Sequence, residues 1–88
     1  FSINGIYPNP FNPVTSISYS IPQNDEEPVS INIFDISGKL TKTLINEMVH
    51  TAGMYEVLWN AKNLGSGIYF VEFKAARTRE VKKITLLK

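Results

Sequence analysis

The chain has 88 residues, of which 43% are hydrophobic and 19% are charged, and it contains no cysteine. This length suits a single domain with one modest core, and the composition is typical of a globular domain rather than a disordered chain. The absence of cysteine excludes a disulfide framework, a thiolate metal site and a cysteine nucleophile.

The charges are unevenly distributed, although the net charge is only +1. Residues 1–38 contain four acidic and no basic side chains, whereas residues 74–88 contain six basic side chains and one acidic one. A basic end can bind an anionic partner or can protect a sheet edge from aggregation, and we favour the second interpretation. The basic residues lack interleaved aromatic residues, so the pattern does not favour nucleic-acid binding.

Alternation of apolar and polar residues predicts the strands, because successive side chains of a strand point to opposite faces. The pattern is clearest in residues 16–21, where Ile17, Tyr19 and Ile21 alternate with serines. The stretches that we predict to be strands are, in chain order, 2–7, 16–21, 29–35, 39–45, 54–59, 67–73 and 79–87. Seven short strands without helical periodicity predict an all-β fold, an immunoglobulin-like antiparallel β-sandwich.

The connections between these strands carry turn signals. Ser37 and Gly38 lie between two β-prone runs and predict a tight hairpin. The alternation changes phase at Phe34, which predicts a bulge or a strand covered on both faces. We expect residues 23–28 to form a polar turn and residues 46–53 to form a loop.

The same alternation predicts the core. Val57 separates Tyr55 from Trp59 on one face, as in a core strand of a sandwich rather than an exposed platform for stacking on sugars. The residues that we expect to be mostly buried are Ile17, Tyr19, Ile31, Ile33, Tyr55, Val57, Trp59 and Tyr69. The residues that we expect to anchor the last strand are Ile84, Leu86 and Leu87.

Few residues could carry out catalysis or bind a ligand. His50 lies in the predicted loop, and we interpret it as a solvated side chain without a function. The acidic run at 25–27 offers oxygens to calcium, but consecutive residues on a turn rarely converge on one ion. Residues 65–67 precede a strand rather than a helix, so they indicate a turn and not a phosphate site. We therefore expect no enzyme activity, no cofactor and no metal.

The most specific string is YPNPFNP at residues 7–13. Its three prolines each fix φ at about −65° and favour extended geometry in the residues before them. Asn9 and Asn12 can bond to neighbouring backbone amides. The string therefore predicts a rigid corner, with Phe11 as its hydrophobic plug.

This corner, followed by the strand TSISYSIP, resembles the opening of the type A C-terminal sorting domain of the type IX (Por) secretion system. Residues 29–40 (VSINIFDISGKL) are similar to a strand of that family with its Asp and its glycine turn. Gly53, Met54 and Tyr55 match its Gly-x-Tyr element.

The resemblance continues to the end of the chain. NLGSGIYF at 63–70 is similar to the family string LPSGIYF, and residues 82–88 are similar to its basic, apolar last strand. Two residues depart from related patterns: Gly65 stands where proline is usual, and Asn60 stands where the related immunoglobulin-like domain of flagellar hook-capping proteins tends to have Asp.

The resemblance implies a non-catalytic sorting signal. Residues 1–88 would form one C-terminal domain of a longer exported protein, as the missing initiator Met also suggests. The domain would follow an N-terminal cargo domain, cross the periplasm, be recognised by the outer-membrane translocon and a sortase-like peptidase, and reach the cell surface or medium. The residues implied to carry the signal are Gly53, Tyr55, Gly67, Tyr69, Lys82, Lys83 and Lys88.

Other functions are compatible with the same sequence. One is a structural or accessory module, possibly carbohydrate-associated, of an extracellular enzyme. Another is a hook-capping scaffold, because both families share the PNPFNP opening.

Overall fold

The computed structural model describes residues 2–22, 27–75 and 77–88. Its strands are β1 (Ser2–Tyr7), β2 (Val14–Ile21), β3 (Pro28–Asp35), β4 (Leu40–Val49), β5 (Gly53–Asn60), β6 (Gly67–Ala75) and β7 (Thr78–Leu86). They form a three-stranded sheet in the order β1-β2-β5 and a four-stranded sheet in the order β4-β3-β6-β7, with every pair antiparallel. The all-β sandwich is confirmed. Among the described residues there is no helix that could span a membrane.

The core lies between the inner faces of the two sheets. In β2, every second residue from Thr15 to Ile21 is buried, and β3 contributes Val29, Ile31 and Ile33 from the opposite sheet. β-branched and aromatic side chains suit such half-buried strands because they pack well on a pleated surface. The alternation gives each strand one apolar face, and the two sheets pack with these faces against each other.

The predicted core is largely confirmed. The predicted residues that are buried are Ile17, Tyr19, Ile31, Ile33, Trp59 and Tyr69. Tyr55 and Val57 are half-buried and pack against the core. Their partial exposure follows from their position, because β5 is an edge strand and only β2 flanks it.

The β3–β4 hairpin is stabilised by the carboxylate of Asp35. One oxygen of Asp35 accepts hydrogen bonds from the backbone N–H and hydroxyl of Ser37, at 2.9 and 2.6 Å, and from the Lys39 N–H at 3.0 Å. The Ser37 hydroxyl and then the Lys39 N–H lower the pKa of Asp35. Gly38 has a φ of 88°, which favours glycine. The predicted turn is confirmed, as is the bulge at Phe34, where the β3–β4 register shifts.

The predicted loop at 46–53 is wrong in part, because β4 continues to Val49 and β5 begins at Gly53. Pro28 and Val29 pair with Val49 and Met48, but the register shifts between Val29 and Ile31. At this irregularity Glu47 has a φ of 48°. A bulge inserts an extra residue and breaks the alternation, which hides the strand from a periodicity argument.

The proline-rich corner packs against the last strand, and Phe11 is its buried plug, as predicted. Phe11 is 2% exposed, and its N–H donates to the Thr85 carbonyl at 3.0 Å, while its carbonyl accepts from the Leu87 N–H at 3.0 Å. Its ring lies 5.2 Å from that of Trp59. Phe11 is therefore a plug that joins the two sheets.

The expected anchors of the last strand are confirmed for Ile84 and Leu86, which are buried. The expectation for Leu87 is wrong, since it is 54% exposed. Leu87 follows the end of β7 and contributes its backbone N–H rather than its side chain. The predicted turn at 23–28 and the acidic run at 25–27 lie mostly outside the described residues.

Candidate functional site

Two Gly-x-Tyr elements have the same local geometry. We call Gly53, Met54 and Tyr55 the first corner, and Gly67, Ile68 and Tyr69 the second corner. The φ angles of Gly53 and Gly67 are 151° and 155°, which L side chains rarely adopt. Each glycine begins a strand, so each corner sets the direction in which the chain enters its sheet.

The tyrosine hydroxyl of each corner ties the strand to the segment before it. Tyr55 Oη donates to the Thr51 carbonyl at 2.7 Å, and Tyr69 Oη donates to the Gly65 carbonyl at 2.8 Å. In both cases the acceptor lies four residues upstream, as in the tyrosine corners of other sandwiches. The second contact uses only the backbone carbonyl of Gly65 and therefore does not depend on a side chain at that position.

The structure does not bring the two corners together. The Tyr55 ring lies 5.6 Å from Tyr19 and 4.6 Å from His50, whereas the Tyr69 ring lies 5.7 Å from Trp59. Tyr55 and Trp59 are four residues apart on β5, a separation of about 13 Å along a strand. The corners therefore belong to different aromatic clusters.

His50 is part of the cluster beneath the first corner. It is only 8% exposed, so the interpretation as a solvated side chain is wrong. Nδ1 lies 2.9 Å from the Met48 carbonyl and Nε2 lies 2.8 Å from Tyr19 Oη. Because a carbonyl only accepts, Nδ1 carries the proton toward Met48, and Nε2 accepts from the Tyr19 hydroxyl in the neutral ring. His50 thus satisfies a buried polar group.

No sequence signal marks this role of His50. The residue follows the bulged end of β4 and lies in the connection that crosses to the other sheet, which brings it to Tyr19, 31 positions away in the chain. Burial is the main cause, and nearby Tyr55 the second, of the raised pKa of Tyr19. A raised pKa extends to higher pH the range in which the Tyr19 hydroxyl stays protonated and able to donate.

The three candidate lysines near the C-terminus are exposed. Lys88 lies beside the second corner, where its N–H donates to Ser66 Oγ at 2.9 Å and its ammonium group donates to the Lys62 carbonyl. Lys82 and Lys83 line a cavity of about 200 Å³ between β1 and β7. Gly67, Tyr69 and Lys88 therefore form one group, while Gly53 and Tyr55 are separate from it.

Another basic residue of the last strand has a structural contact. Arg79 Nε lies 2.7 Å from the carboxylate of Glu72, which is 7% exposed and also accepts from Asn32 Nδ2 at 3.2 Å. A buried carboxylate needs such partners. Arg79 therefore stabilises the β6–β7 hairpin, a role that the sequence did not distinguish from that of the neighbouring lysines.

The described acidic and histidine side chains do not cluster around one point. Within residues 2–22, 27–75 and 77–88, no group of three or more His, Asp or Glu side chains could hold a metal ion. Trp59 is 2% exposed, so it cannot stack on a sugar, which confirms its place in the core. The motif residues of the two corners act as turns, core side chains and hydrogen-bond donors.

The family model of the secretion system C-terminal sorting domain matches residues 5–87. The chain therefore belongs to the family of type IX secretion C-terminal sorting domains. A comparison with curated proteins finds no significant match. Domains of this family are non-catalytic and direct export to the cell surface or the extracellular space through interaction with the type IX machinery.

Proposed function

We propose that residues 1–88 are the C-terminal signal that takes an N-terminal cargo domain across the periplasm to the type IX translocon in the outer membrane. A sortase-like peptidase then separates the domain from its cargo. The observation that carries this proposal is the family match over residues 5–87, which includes both corners and the basic last strand.

The residues proposed to carry the signal fall into two groups with different roles. The glycines of the corners fix the direction in which the chain enters each strand, through their φ angles. The tyrosines fasten each strand to the segment before it, through their hydroxyl contacts. Lys82, Lys83 and Lys88 present exposed ammonium groups along β7 and just beyond it. We infer that the corners maintain the shape and that the lysines contact the translocon directly.

The test is export of a periplasmic reporter fused to residues 1–88 in a bacterium with a functional type IX system. We expect the fusion to reach the cell surface or medium. Replacement of Lys82, Lys83 and Lys88 with Gln should leave the reporter in the periplasm. Because single surface charges contribute little to stability, the melting temperature of this variant should remain close to that of the parent.

A matched control removes the same charge elsewhere. Lys39, Lys42 and Lys62 are exposed, and their replacement with Gln should leave export unchanged. If the variant at Lys82, Lys83 and Lys88 folds and is exported normally, these lysines only protect the sheet edge and do not contact the translocon. Normal export after deletion of residues 79–88, which removes nearly all of β7, would contradict the sorting role itself.

A further inference from the structure

The sandwich has four sheet edges, formed by β1, β4, β5 and β7. Three of them carry features that discourage pairing with another strand. β4 has three register shifts against β3, and Glu47 has a positive φ within it. β1 has a register shift after Ile3, whose N–H donates to a Glu80 carboxylate oxygen at 2.7 Å. Bulges and edge charges are the usual protections of natural sheets.

The edge of β7 is also protected. Its C-terminal end pairs with the Phe11 segment through the backbone of Thr85 and of Leu87, which directly follows the strand. Its remaining length carries Lys82 and Lys83, and lysines on an edge oppose pairing.

β5 has neither a bulge nor a lysine, and Glu56 is its one charged residue. It pairs with β2 in one unbroken register over its eight residues, from Gly53 to Asn60, and it contains neither proline nor a basic residue. Met54 and Leu58 are 78% and 64% exposed on the outer face. Among the described residues, no strand pairs with its second edge. A long, regular and apolar edge of this kind is a template for strand addition.

The backbone of β5 is oriented for this pairing. The Ala61 N–H donates to the Pro13 carbonyl at 2.8 Å, in register with the β2–β5 pairs. Backbone groups alternate in direction along a regular antiparallel strand. The N–H and C=O groups of Met54, Glu56 and Leu58 therefore point away from β2, toward the open edge.

The charge on this edge selects the occupant. If two copies of the chain paired so that Met54 of each faced Leu58 of the other, Glu56 would face Glu56. Like charges directly opposite each other destabilise an antiparallel pair, whereas opposite charges stabilise it. We propose that the β5 edge binds an extended strand of another protein, with a Lys or Arg opposite Glu56 and apolar residues opposite Met54 and Leu58.

This proposal concerns a different strand from the lysines of β7 and does not depend on the proposed sorting role. Main-chain hydrogen bonds would supply affinity, and the Glu56 carboxylate and its two apolar neighbours would supply selectivity.

The test uses the purified chain and the fluorescein-labelled peptide Thr-Val-Thr-Lys-Thr-Val-Thr, whose lysine can face Glu56. Fluorescence anisotropy should show binding that is about fivefold weaker for the peptide with Glu in place of Lys. Glu56→Lys should reverse this preference. Glu47→Lys makes the same charge change on the β4 edge and should leave the preference unchanged.

Hydrogen exchange locates the contact. The peptide should protect the amides of Glu56 and Leu58, which point outward, but not those of Tyr55 and Val57, which already face β2. A peptide that is N-methylated at its lysine should lose binding, because that lysine pairs with Glu56 through its backbone.

Three results would overturn the proposal. One is the absence of binding at millimolar peptide, and another is protection confined to β4 or β7. The third is a dimer in sedimentation analysis with protected Glu56 and Leu58 amides, since a second copy would then be the occupant.

Discussion

The two Gly-x-Tyr corners share one local design but differ in what they support. The second corner begins a central strand, and its Tyr69 ring packs against Trp59 and, through Trp59, against the Phe11 plug. The first corner begins an edge strand, and its Tyr55 is half-buried beside His50. The same motif can therefore place its tyrosine in the core at one position and attach an edge strand at another.

The largest effect is expected beneath the second corner. Trp59→Ala removes the ring that joins Phe11 to Tyr69 and should lower the free energy of unfolding by about 3 to 5 kcal/mol. Urea denaturation gives the value. Leu58→Ala, at the exposed neighbouring position, should change it by no more than about 0.5 kcal/mol. Similar effects of the two substitutions would argue against the observed burial of Trp59.

Substitution of the glycines should lower the free energy of unfolding by less than Trp59→Ala does, and by a similar amount in both corners. Gly53→Ala and Gly67→Ala force a side chain into a φ region that is nearly restricted to glycine, at a cost of about 1 to 3 kcal/mol. A Cβ at Gly67 would meet no atom within 4 Å, and one at Gly53 would only touch the Tyr55 ring. The cost is therefore backbone strain rather than steric overlap.

Gly5 provides the control for this prediction. Its φ is outside the left-handed region, and a Cβ there would also meet no atom within 4 Å. Gly5→Ala should therefore be neutral or slightly stabilising in the same denaturation experiment. An equal loss at all three glycines would show that the positive φ angles of Gly53 and Gly67 do not control the response.

Removal of the hydroxyl groups should distinguish the corners more finely. Tyr69→Phe breaks a partly buried hydrogen bond and should cost about 1 kcal/mol, whereas Tyr55→Phe breaks an exposed one and should cost about 0.5 kcal/mol. Thermal melting of the two variants measures the difference. The reverse order would mean that the first corner is the more strongly coupled to folding.

The smallest expected effect is a decrease in folding stability at high pH, caused by Tyr19 beneath the first corner. Burial and nearby Tyr55 raise the pKa of Tyr19 in the folded chain, while the unfolded chain retains the ordinary value of 10.0. The unfolded state therefore loses its proton first, and stability should fall as the pH rises above 10. Tyr19→Phe should flatten this part of the stability profile, even though it also removes the contact with His50.

Much of the fold could be predicted because its determinants are local. Alternation in residues 16–21 identified β2, Ser37 and Gly38 identified the hairpin, and the Pro-rich string identified the corner that holds Phe11. Each of these signals depends on residues close in sequence, whose φ preferences or side-chain directions do not require a partner. The same is true of the motifs by which the family was recognised.

The tertiary structure alone decided which of these pieces meet. With a bulge near Glu47, β4 continues into the segment predicted to be a loop. The crossing from β4 to β5 buries His50 against Tyr19, which is 31 positions away in the chain. Strand order separated the two corners and left β5 at an edge. These features depend on pairing between distant segments. A strand's periodicity reports which face is buried, but not which neighbour covers it or whether an edge stays open.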